Sequence, residues 1–357
     1  MKSGKLRFAL IGCGAIARKH VAALRRIDGV KVVGAYDVNS DARSAFTERH
    51  QIEAFADLDA MMKKAKPDVV AVLTPSGAHA HCIFQAIPYG KHIVVEKPIA
   101  LRLDDVDRIL GLCDRQGLKL FVVQQNRFNP PVRKAREAIE QGRFGKLILG
   151  TVRVRWCRKQ AYYDARPWRG TWKLDGGVFT NQASHHIDML LWMMGEVQTV
   201  MAETSRQLVN IEAEDTGAAV LRFRNGGMGI VEATTATRPE DLEGSISILG
   251  EKGSVEIGGF FMNELKVWNF EEKTMVDQQI WEKYGTVPKQ FAWNHTEFYK
   301  DVVVSIVENR KALIDGFEGR KSIELINAMY ESAESERKVH LRFDPKQSRL
   351  GVGTGDK

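Results

Sequence analysis

A glycine-rich turn near the start of the chain, Gly12-Cys13-Gly14-Ala15-Ile16-Ala17, joins an apolar run to a helical pattern. The run from Leu6 to Ile11 has the length of a buried parallel strand, and residues Ile16 to Arg26 have helical periodicity. In such a G-x-G-x-x-A turn the first glycine makes the tight bend and the second lets the backbone approach a pyrophosphate. The turn therefore predicts a nucleotide-binding strand–turn–helix unit, whose contacts we assign to Gly12, Gly14, Ala15 and Ile16.

The alternation of apolar run and helical pattern repeats through the first 126 residues. Further strand-like runs, each preceded by a segment of helical periodicity, stand at Val30 to Tyr36, Val69 to Leu73, His92 to Val95 and Leu120 to Val123. Repeated alternation of this kind is typical of a doubly wound parallel sheet. We therefore predict an α/β protein that begins with a Rossmann domain over residues 1–126.

Asp37 follows the second strand directly, where a carboxylate can accept both hydroxyls of an adenine ribose. A 2′-phosphate would be repelled at this place, so the turn and the aspartate together predict NAD in preference to NADP. An ordinary glycine turn followed by a surface aspartate would have the same residues. The strand context is what favours the nucleotide.

The pattern changes after about residue 126, where the strands become longer and alternate apolar with polar side chains. They are expected at Ile148 to Arg155, Thr216 to Arg224, Gly229 to Thr235, Gly244 to Leu249 and Ser254 to Ile257. Such strands with short glycine-rich connections favour an α+β domain with a large open, mainly antiparallel sheet, here residues 127–343, followed by a flexible tail at 344–357. One face of an open sheet needs a cover, which predicts covering helices or a homo-oligomer.

Composition argues against several classes of function. The 357 residues carry a formal net charge of +7, but basic residues are scattered among acidic ones, so we expect no nucleic-acid partner. No apolar stretch approaches the roughly 18 residues of a membrane span, and we expect no secretory signal. The four cysteines form no CxxC pair, and His79 and His81 diverge on a helix. We therefore expect no disulfide framework, no metal site and a cytoplasmic location.

Two more loops belong to the carboxyl edge of the predicted parallel sheet, where dinucleotides bind. Thr74-Pro75-Ser76-Gly77 follows one strand, and we assign Thr74, Pro75 and His79 to the cofactor. Glu96-Lys97-Pro98 ends the next strand; its proline favours an extended Lys97 and permits a cis peptide, which would hold the lysine over the cofactor as a hydrogen-bond donor or proton relay. A helix-entry turn and a salt bridge between neighbours are the alternatives.

The second domain contains a glycine-rich stretch, GGVFTNQASHHID at residues 176–188, followed by apolar residues. If one helix runs through this stretch, Asn181, His185 and Asp188 stand one turn apart on a single face. An amide and an imidazole then lie side by side, as in a proton-transfer site. A single histidine on a helix is more often structural, which is the alternative, and we interpret the neighbouring His186 in that way.

An aromatic loop with polar residues precedes this stretch. It contains Tyr162-Tyr163 and Trp168-Arg169-Gly170-Thr171-Trp172. Aromatic rings with arginine suit stacking and bidentate contact with phosphate or carboxylate, although a subunit interface would enrich the same residue types. Arg153 and Arg155 share one side of a strand, where they would serve an anionic group or simply occupy an exposed sheet face.

Together these segments resemble the glucose-fructose oxidoreductase/inositol dehydrogenase (Gfo/Idh/MocA) family over nearly the whole chain. The resemblance rests on GCGAIA, on Glu96-Lys97-Pro98 and on the stretch that leads to His185. It extends to the family's bacterial UDP-N-acetyl-2-amino-2-deoxyglucuronate 3-dehydrogenases. The matching segments are VVQQNRFN (122–129), RFGKL (143–147), YYDARPWRGTW (162–172), LDGGVFTNQASHHID (174–188), NIEAEDTG (210–217) and LEGSISILGEKGSVEIGG (242–259).

The resemblance implies an NAD-dependent dehydrogenase that oxidises the C3 hydroxyl of a UDP-sugar to a 3-keto sugar for surface-polysaccharide synthesis. His185 would accept the hydroxyl proton, Lys97 would hydrogen-bond the same oxygen, and Asn181 would position the sugar or the imidazole. Further cofactor contacts are assigned to Glu96, Lys97, Gln125, Trp168 and Arg169. Substrate contacts are assigned to Lys97, Arg155, Tyr163, Asn181, Gln182 and His185.

The chain departs from the family pattern at two positions. Many members have an aspartate where this chain has Asn181, and Gln124 stands where a lysine is expected in the uronate enzymes. The alternatives are therefore a family enzyme for UDP-N-acetylglucosamine, a free sugar or an inositol, or a glycosidase that uses NAD transiently. A non-catalytic NAD-binding regulator would be expected to lose the catalytic pair, yet Lys97 and His185 are both present.

Overall fold

The computed structural model describes residues 5–285, 293–341, 348 and 350–351. The chain forms two compact units, one of residues 5–125 with 293–320 and one of residues 126–285 with the described residues from 321 onward. The sequence prediction placed residues 293–320 in the second domain. They belong to the first unit because helix Trp293–Val307 packs against helix Ala17–Leu24.

Helices and strands alternate along the chain in the first unit, whereas in the second unit the strands of residues 197–270 follow one another without a helix between them. The described strands are β1 (Leu6–Ile11), β2 (Val30–Tyr36), β3 (Ala54–Phe55), β4 (Val69–Val72), β5 (His92–Glu96), β6 (Leu120–Val123), β7 (Leu147–Arg155), β8 (Val197–Ser205), β9 (Thr216–Phe223), β10 (Met228–Thr234), β11 (Glu243–Gly250), β12 (Gly253–Gly258), β13 (Glu264–Phe270) and β14 (Val339–His340). The described α-helices are α1 (Ala17–Leu24), α2 (Ser40–His50), α3 (Leu58–Ala65), α4 (His79–Ala86), α5 (Leu103–Arg115), α6 (Pro130–Glu140), α7 (Gln160–Asp164), α8 (Ser184–Met194), α9 (Met275–Tyr284), α10 (Trp293–Val307) and α11 (Gly316–Ser335).

The sheet of the first unit is parallel, with strand order β3-β2-β1-β4-β5-β6. This order reverses at β1, and dinucleotides bind at the carboxyl edge of such a switch point. The predicted Rossmann sheet is confirmed. Strands β4 and β6 are buried at every residue, which is why their continuous apolar runs were recognisable in the sequence.

The sheet of the second unit has the order β13-β12-β11-β7-β10-β9-β8-β14. Strands β7 and β10 pair in parallel and the other neighbours are antiparallel, so the predicted large, mainly antiparallel sheet is confirmed. Strands β8, β13 and β14 of this sheet were not predicted, nor was β3 of the first sheet. They lie at or next to the sheet edges, where polar residues interrupt the apolar pattern.

Helix α8 covers one face of this sheet at Gly150, where a Cβ would lie 2.7 Å from both Leu190 Cδ1 and Met194 Cγ. The opposite face carries a row of apolar side chains across three paired strands. Met201, Val220 and Ile230 in this row are 52%, 50% and 38% exposed. Neighbouring exposed apolar side chains of this kind are typical of an interaction surface.

Most of the predicted tail at 344–357 lies outside the described residues. Of the part that is described, Leu350 is buried and Gly351 N donates to Trp172 O at 2.6 Å, so this part is packed. Among the described helices, none combines the length and the hydropathy that crossing a bilayer requires.

Candidate functional site

The glycine turn lies between β1 and α1 at the carboxyl edge of the first sheet. Gly12 has a φ of +109°, and a Cβ there would lie 2.9 Å from the Leu73 carbonyl carbon and oxygen. At Gly14 no atom of the described residues lies within 4 Å of the Cβ position, and none of their side chains caps α1. Open backbone at a helix start is what a pyrophosphate requires, so Gly12, Gly14, Ala15 and Ile16 fit the NAD role assigned to them.

Asp37 follows β2 and turns its carboxylate toward this turn. Its Oδ2 accepts a hydrogen bond from Cys13 N at 2.8 Å, and its Oδ1 accepts one from Asn39 N at 2.9 Å. Two backbone donors therefore fix the carboxylate beside the glycines. Burial and the Asp37 charge raise the pKa of the Cys13 thiol to about 12, so this thiol stays protonated and unreactive.

His79 joins the two other loops assigned to the cofactor. Its Nδ1 lies 2.7 Å from Pro98 O and its Nε2 lies 2.8 Å from Thr74 O, and the side chain is 1% exposed. Both ring nitrogens therefore contact protein carbonyls. The buried imidazole therefore supports the loops at Thr74 and Pro98, and the predicted cofactor contact of His79 stays a prediction.

The Glu96-Lys97-Pro98 segment ends β5, and its Lys97–Pro98 peptide is cis. Glu96 Oε1 lies 2.8 Å from His20 Nε2, and Glu96 Oε2 accepts a hydrogen bond from Lys97 N at 3.2 Å. His20 is fully buried on α1, and its Nδ1 lies 2.7 Å from Tyr299 Oη. Sequence reasoning missed His20 and Tyr299 because they are 279 residues apart in the chain.

His295 packs edge-on against His20, with ring centroids 5.3 Å apart. The ligand atoms of His20, Glu96 and His295 lie within 4.8 Å of one another, close enough for a metal ion. Both ring nitrogens of His20 are already engaged by Glu96 and Tyr299. We therefore interpret the group as a hydrogen-bonded support beneath Lys97.

The carboxyl ends of the parallel strands bring most of the assigned cofactor residues to one edge of the first sheet. Gln125 opens a short 3-10 turn, Gln125–Phe128, directly after β6 and is half-buried. It follows the strand next to the one that ends in Glu96. Gly12, Asp37, Thr74, Lys97 and Gln125 each lie at the end of a different strand of this sheet.

The predicted helix over the stretch at 176–188 is two elements in the second unit. Val178–Gln182 forms a π-helical turn, and α8 begins at Ser184. Asn181 therefore belongs to the turn and His185 to the first turn of α8, so the two do not share one continuous helix face. Both side chains are half-buried. Single π-helical turns occur often at functional sites.

Asp188 was expected on one continuous helix face with Asn181 and His185; the start of α8 at Ser184 separates it from Asn181, and its carboxylate pairs with Arg127. Its Oδ2 accepts from Arg127 Nε at 2.8 Å and its Oδ1 accepts from Arg127 Nη2 at 2.7 Å. Both side chains are 1% exposed. The bidentate pair anchors α8, three residues beyond His185, to the start of the second unit.

Asn181 belongs to a chain of side-chain hydrogen bonds. Its Nδ2 donates to Asp175 Oδ1, and its Oδ1 accepts from Gln182 Nε2 at 2.9 Å. Gln182 Nε2 also donates to Tyr162 Oη at 3.1 Å, and Asp175 Oδ2 accepts from Gly170 N at 2.9 Å. The assigned residues Asn181 and Gln182 are thus tied to the aromatic loop.

A buried carboxyl group, Glu214, supports the π-helical turn. Its Oε1 accepts hydrogen bonds from Phe179 N at 3.0 Å and from Tyr330 Oη at 2.8 Å, and Tyr330 Oη lies 3.0 Å from Thr180 Oγ1. Burial raises the pKa of Glu214 to about 7, with a smaller contribution from the charge of Asp175. The sequence analysis did not identify Glu214, because its partner Tyr330 is 116 residues away.

In the aromatic loop, Arg169 stacks on Tyr162 with Cζ 3.9 Å from the ring centroid, and it donates to Tyr162 O at 2.6 Å. Trp168 lies beside the same guanidinium, 5.5 Å away, and Trp168 and Arg169 stay half-buried. Tyr163 is 8% exposed and its Oη lies 3.0 Å from Thr235 Oγ1. Tyr163 is therefore packed inside the second unit, and its predicted substrate contact stays a prediction.

Arg155 lies on the sheet face opposite α8, because side chains alternate along β7 and Gly150 and Val154 face the helix side. Its Nε lies 2.5 Å from Glu232 Oε1 and its Nη1 lies 3.2 Å from Glu243 Oε2. The chain's own Arg155 is therefore not brought together with Asn181 or His185. It forms ion pairs on the exposed face, and its predicted substrate contact stays a prediction.

Two family descriptions match the chain. Residues 6–124 match "Oxidoreductase family, NAD-binding Rossmann fold", and residues 136–341 match "Oxidoreductase family, C-terminal alpha/beta domain". A relative at lower identity is the myo-inositol 2-dehydrogenase of Thermotoga maritima, 26% identical over 350 residues, which span 94% of this chain and 98% of that protein.

Two solved structures are similar over nearly their whole length. The WlbA dehydrogenase from Bordetella pertussis, in complex with NADH and UDP-GlcNAcA, is 40% identical with a TM-score of 0.91 over 95% of this chain and 99% of that chain. The WlbA dehydrogenase from Chromobacterium violaceum, with the same two ligands, is 40% identical with a TM-score of 0.89 over 95% and 97% of the two chains.

Proposed function

The chain belongs to the Gfo/Idh/MocA oxidoreductase family, and on that premise we propose that it oxidises the C3 hydroxyl of a UDP-sugar with NAD as the acceptor. The proposed substrate is UDP-N-acetyl-2-amino-2-deoxyglucuronate, and the product is its 3-keto form, used in surface-polysaccharide synthesis. The observation that carries the proposal is the 40% identity, over 95% of this chain, to two dehydrogenases that hold NADH and UDP-GlcNAcA.

The proposed chemistry divides between the two units. When bound, NAD supplies the acceptor for the hydride that leaves the sugar carbon. Lys97 donates a hydrogen bond to the reacting oxygen and stabilises its developing negative charge. His185, half-buried in the first turn of α8, accepts the hydroxyl proton. Asn181 positions the sugar or the imidazole.

Two features support Lys97 in this role. Glu96 accepts the Lys97 backbone N–H and is itself held by buried His20, so the lysine starts from a fixed main chain. His79 contacts the carbonyl oxygen of the following Pro98. A fixed starting point reduces the loss of side-chain freedom when the ammonium group meets the sugar oxygen.

We also propose that the protein is a homo-oligomer, a dimer or tetramer, that uses the exposed sheet face. Support comes from the apolar row of Met201, Val220 and Ile230 and from the Arg155 ion pairs beside it. The four cysteines are free, which fits the reducing cytoplasm proposed as its location.

The proposal is tested by following NADH formation with a panel of substrates. The panel contains UDP-N-acetyl-2-amino-2-deoxyglucuronate, UDP-N-acetylglucosamine, the free sugars and myo-inositol, each with NAD and with NADP. We expect the uronate with NAD to have a kcat/KM at least about tenfold above the next substrate, because the two similar dehydrogenases hold UDP-GlcNAcA. Turnover with inositol or free sugars alone would contradict it. Substrate cleavage without net NADH would indicate a glycosidase, and NAD binding without any turnover a regulator.

A further inference from the structure

Asp175 is a buried carboxylate whose two oxygens both accept hydrogen bonds from protein donors. It is 2% exposed and lies just before the π-helical turn. Oδ2 accepts from Gly170 N at 2.9 Å, and Oδ1 accepts from Asn181 Nδ2. A buried carboxylate in this position favours a donor, and disfavours another acceptor, at position 181.

The Asn181 amide is oriented by these contacts. Its nitrogen faces Asp175, and its oxygen accepts from Gln182 Nε2 at 2.9 Å. Reversing the amide would point the Asn181 oxygen at a carboxylate and its nitrogen at the Gln182 donor. Both hydrogen bonds would be lost, so one orientation is strongly preferred.

The same contacts link Asn181 to the aromatic loop from two directions. Asp175 accepts a hydrogen bond from the backbone N–H of Gly170, which follows Arg169 in the chain. Gln182 Nε2 donates to Tyr162 Oη at 3.1 Å. Arg169 in turn donates to Tyr162 O at 2.6 Å. Asp175 therefore lies between the loop backbone and the amide, and a change in its hydrogen bonding reaches both.

We propose that Asp175 is a positioning residue for the reaction, which orients Asn181 and determines that position 181 carries an amide instead of a carboxylate. This inference rests on the proposed function, in which Asn181 positions the sugar or the imidazole. Asp175 acts through Asn181 and touches no reacting atom.

A second buried carboxyl group adds to the requirement for an amide. Glu214 supports the same turn through Phe179 N, and the charge of Asp175 contributes to the raised pKa of Glu214. The two acidic groups therefore already interact. A carboxylate at position 181 would place a second negative charge directly against Asp175.

The hydrogen-bond pattern predicts that the acid and the amide can be exchanged. In Asn181→Asp two acceptors face each other, and in Asp175→Asn one carbonyl oxygen must serve two donors. In the double variant, the new amide at position 175 accepts from Gly170 N through its oxygen and donates through its nitrogen to the new carboxylate at position 181. That carboxylate still accepts from Gln182 Nε2, so the hydrogen bonds described above to Gly170, between positions 175 and 181, and to Gln182 are restored.

The kinetic test compares D175N, N181D and D175N/N181D with the wild type. We expect each single substitution to lower kcat at least about tenfold with little change in the Kd for NAD. The kcat of the double variant should be at least about tenfold higher than that of the less active single variant. D164N is the matched control, because Asp164 is an exposed carboxylate of the same loop that accepts from Gln160 Nε2 at 2.9 Å. A double variant no more active than the weaker single variant, or a D175N with wild-type kcat, would overturn the inference.

Thermal unfolding of the same four proteins separates this inference from the proposed function. We expect each single substitution to lower Tm by about 4–8 °C and the double variant to lie above both. If the wild type oxidises no nucleotide sugar, the proposed function fails, and the Tm values alone decide whether Asp175 and Asn181 are coupled. A double variant whose decrease in Tm equals the sum of the decreases of the two single variants would then refute the coupling. If a single variant does not fold, recovery of folding in the double variant supports the exchange, and failure of the double variant refutes it.

Discussion

Arg127 and Asp188 form a bidentate ion pair inside the second unit, with nitrogen–oxygen distances of 2.8 and 2.7 Å and both side chains 1% exposed. R127M should lower the free energy of unfolding by about 3–5 kcal/mol, because it leaves the Asp188 charge buried without its partner. The free energy of unfolding should fall less in R127M/D188L than in R127M alone. Urea denaturation measures both.

The control for this pair is R224M, because Arg224 pairs with Glu196 at 3.2 Å while the two side chains are 49% and 74% exposed. We expect R224M to change the free energy of unfolding by less than about 1 kcal/mol. An R127M protein as stable as R224M would show that the buried pair does not anchor α8.

The two glycines of the nucleotide turn should respond differently to alanine. G12A should lower Tm, because a Cβ at Gly12 would lie 2.9 Å from the Leu73 backbone at a φ of +109°. G14A should leave Tm unchanged and weaken NAD binding at least about tenfold, since its methyl group would meet the pyrophosphate instead of protein. Thermal unfolding and NAD titration of both variants test this, and a G14A protein with normal NAD affinity would refute it.

Asp37 should determine the preference for NAD. D37S should lower kcat/KM for NAD by about 10- to 100-fold, because the carboxylate no longer binds the ribose. It should also lower the ratio of kcat/KM with NAD to kcat/KM with NADP, because a 2′-phosphate is no longer repelled. D41S is the control, since Asp41 is exposed on α2. An unchanged NAD/NADP ratio in D37S would argue against the assignment.

Lys97 and His185 should be needed for turnover. K97M and H185Q should each lower kcat by about 10²-fold or more, because each removes a group that acts on the reacting oxygen, while the Kd for NAD changes little. H81Q, at an exposed histidine of α4, should behave like the wild type. Steady-state NADH formation gives kcat, and NAD titration gives the Kd for NAD. Wild-type turnover in both K97M and H185Q would exclude the proposed mechanism.

Glu214 should make the protein less stable as the pH rises from about 4.5 to about 7. Burial raises its pKa from 4.5 to about 7, helped by Asp175, so the folded state binds more protons than the unfolded state in this window. Its stabilising contribution is therefore present at low pH and lost as the pH approaches 7. Burial lowers the pKa of His186 to about 4, so His186 makes the protein more stable as the pH rises. The contribution of Glu214 is therefore isolated by comparing a Glu214 variant with the wild type.

The test is the Tm of E214Q relative to the wild type between pH 5 and pH 8. Glutamine can still accept from Phe179 N and Tyr330 Oη without a charge, so the difference should grow in favour of E214Q as the pH rises. E203Q, at an exposed position of β8, should show a constant difference. A difference for E214Q that does not change with pH would contradict the shifted pKa.

Continuous apolar runs predicted the parallel strands well, because β4 and β6 are buried throughout and their positions follow from residue type alone. The stretch at 176–188 was predicted less well. One helix was expected through Asn181 and His185, but the break between the π-helical turn and α8 depends on Asp175 and Glu214, whose contacts cannot be seen in the local sequence. The contacts of His79 and Arg155 could not be predicted for the same reason, since only tertiary contacts show which way each side chain points.

The parallel pair of β7 and β10 has a consequence for biosynthesis. Strand β7 lies between β10 and β11, and its residue Leu149 pairs with Met228 and with Leu249. Because such distant pairings close slowly, a chain emerging from the ribosome carries β7 without its full set of neighbours until residue 250 has been made. A nascent or truncated chain that stops before β11 would therefore expose an unpaired edge of a central strand, and we expect it to require chaperones or to aggregate.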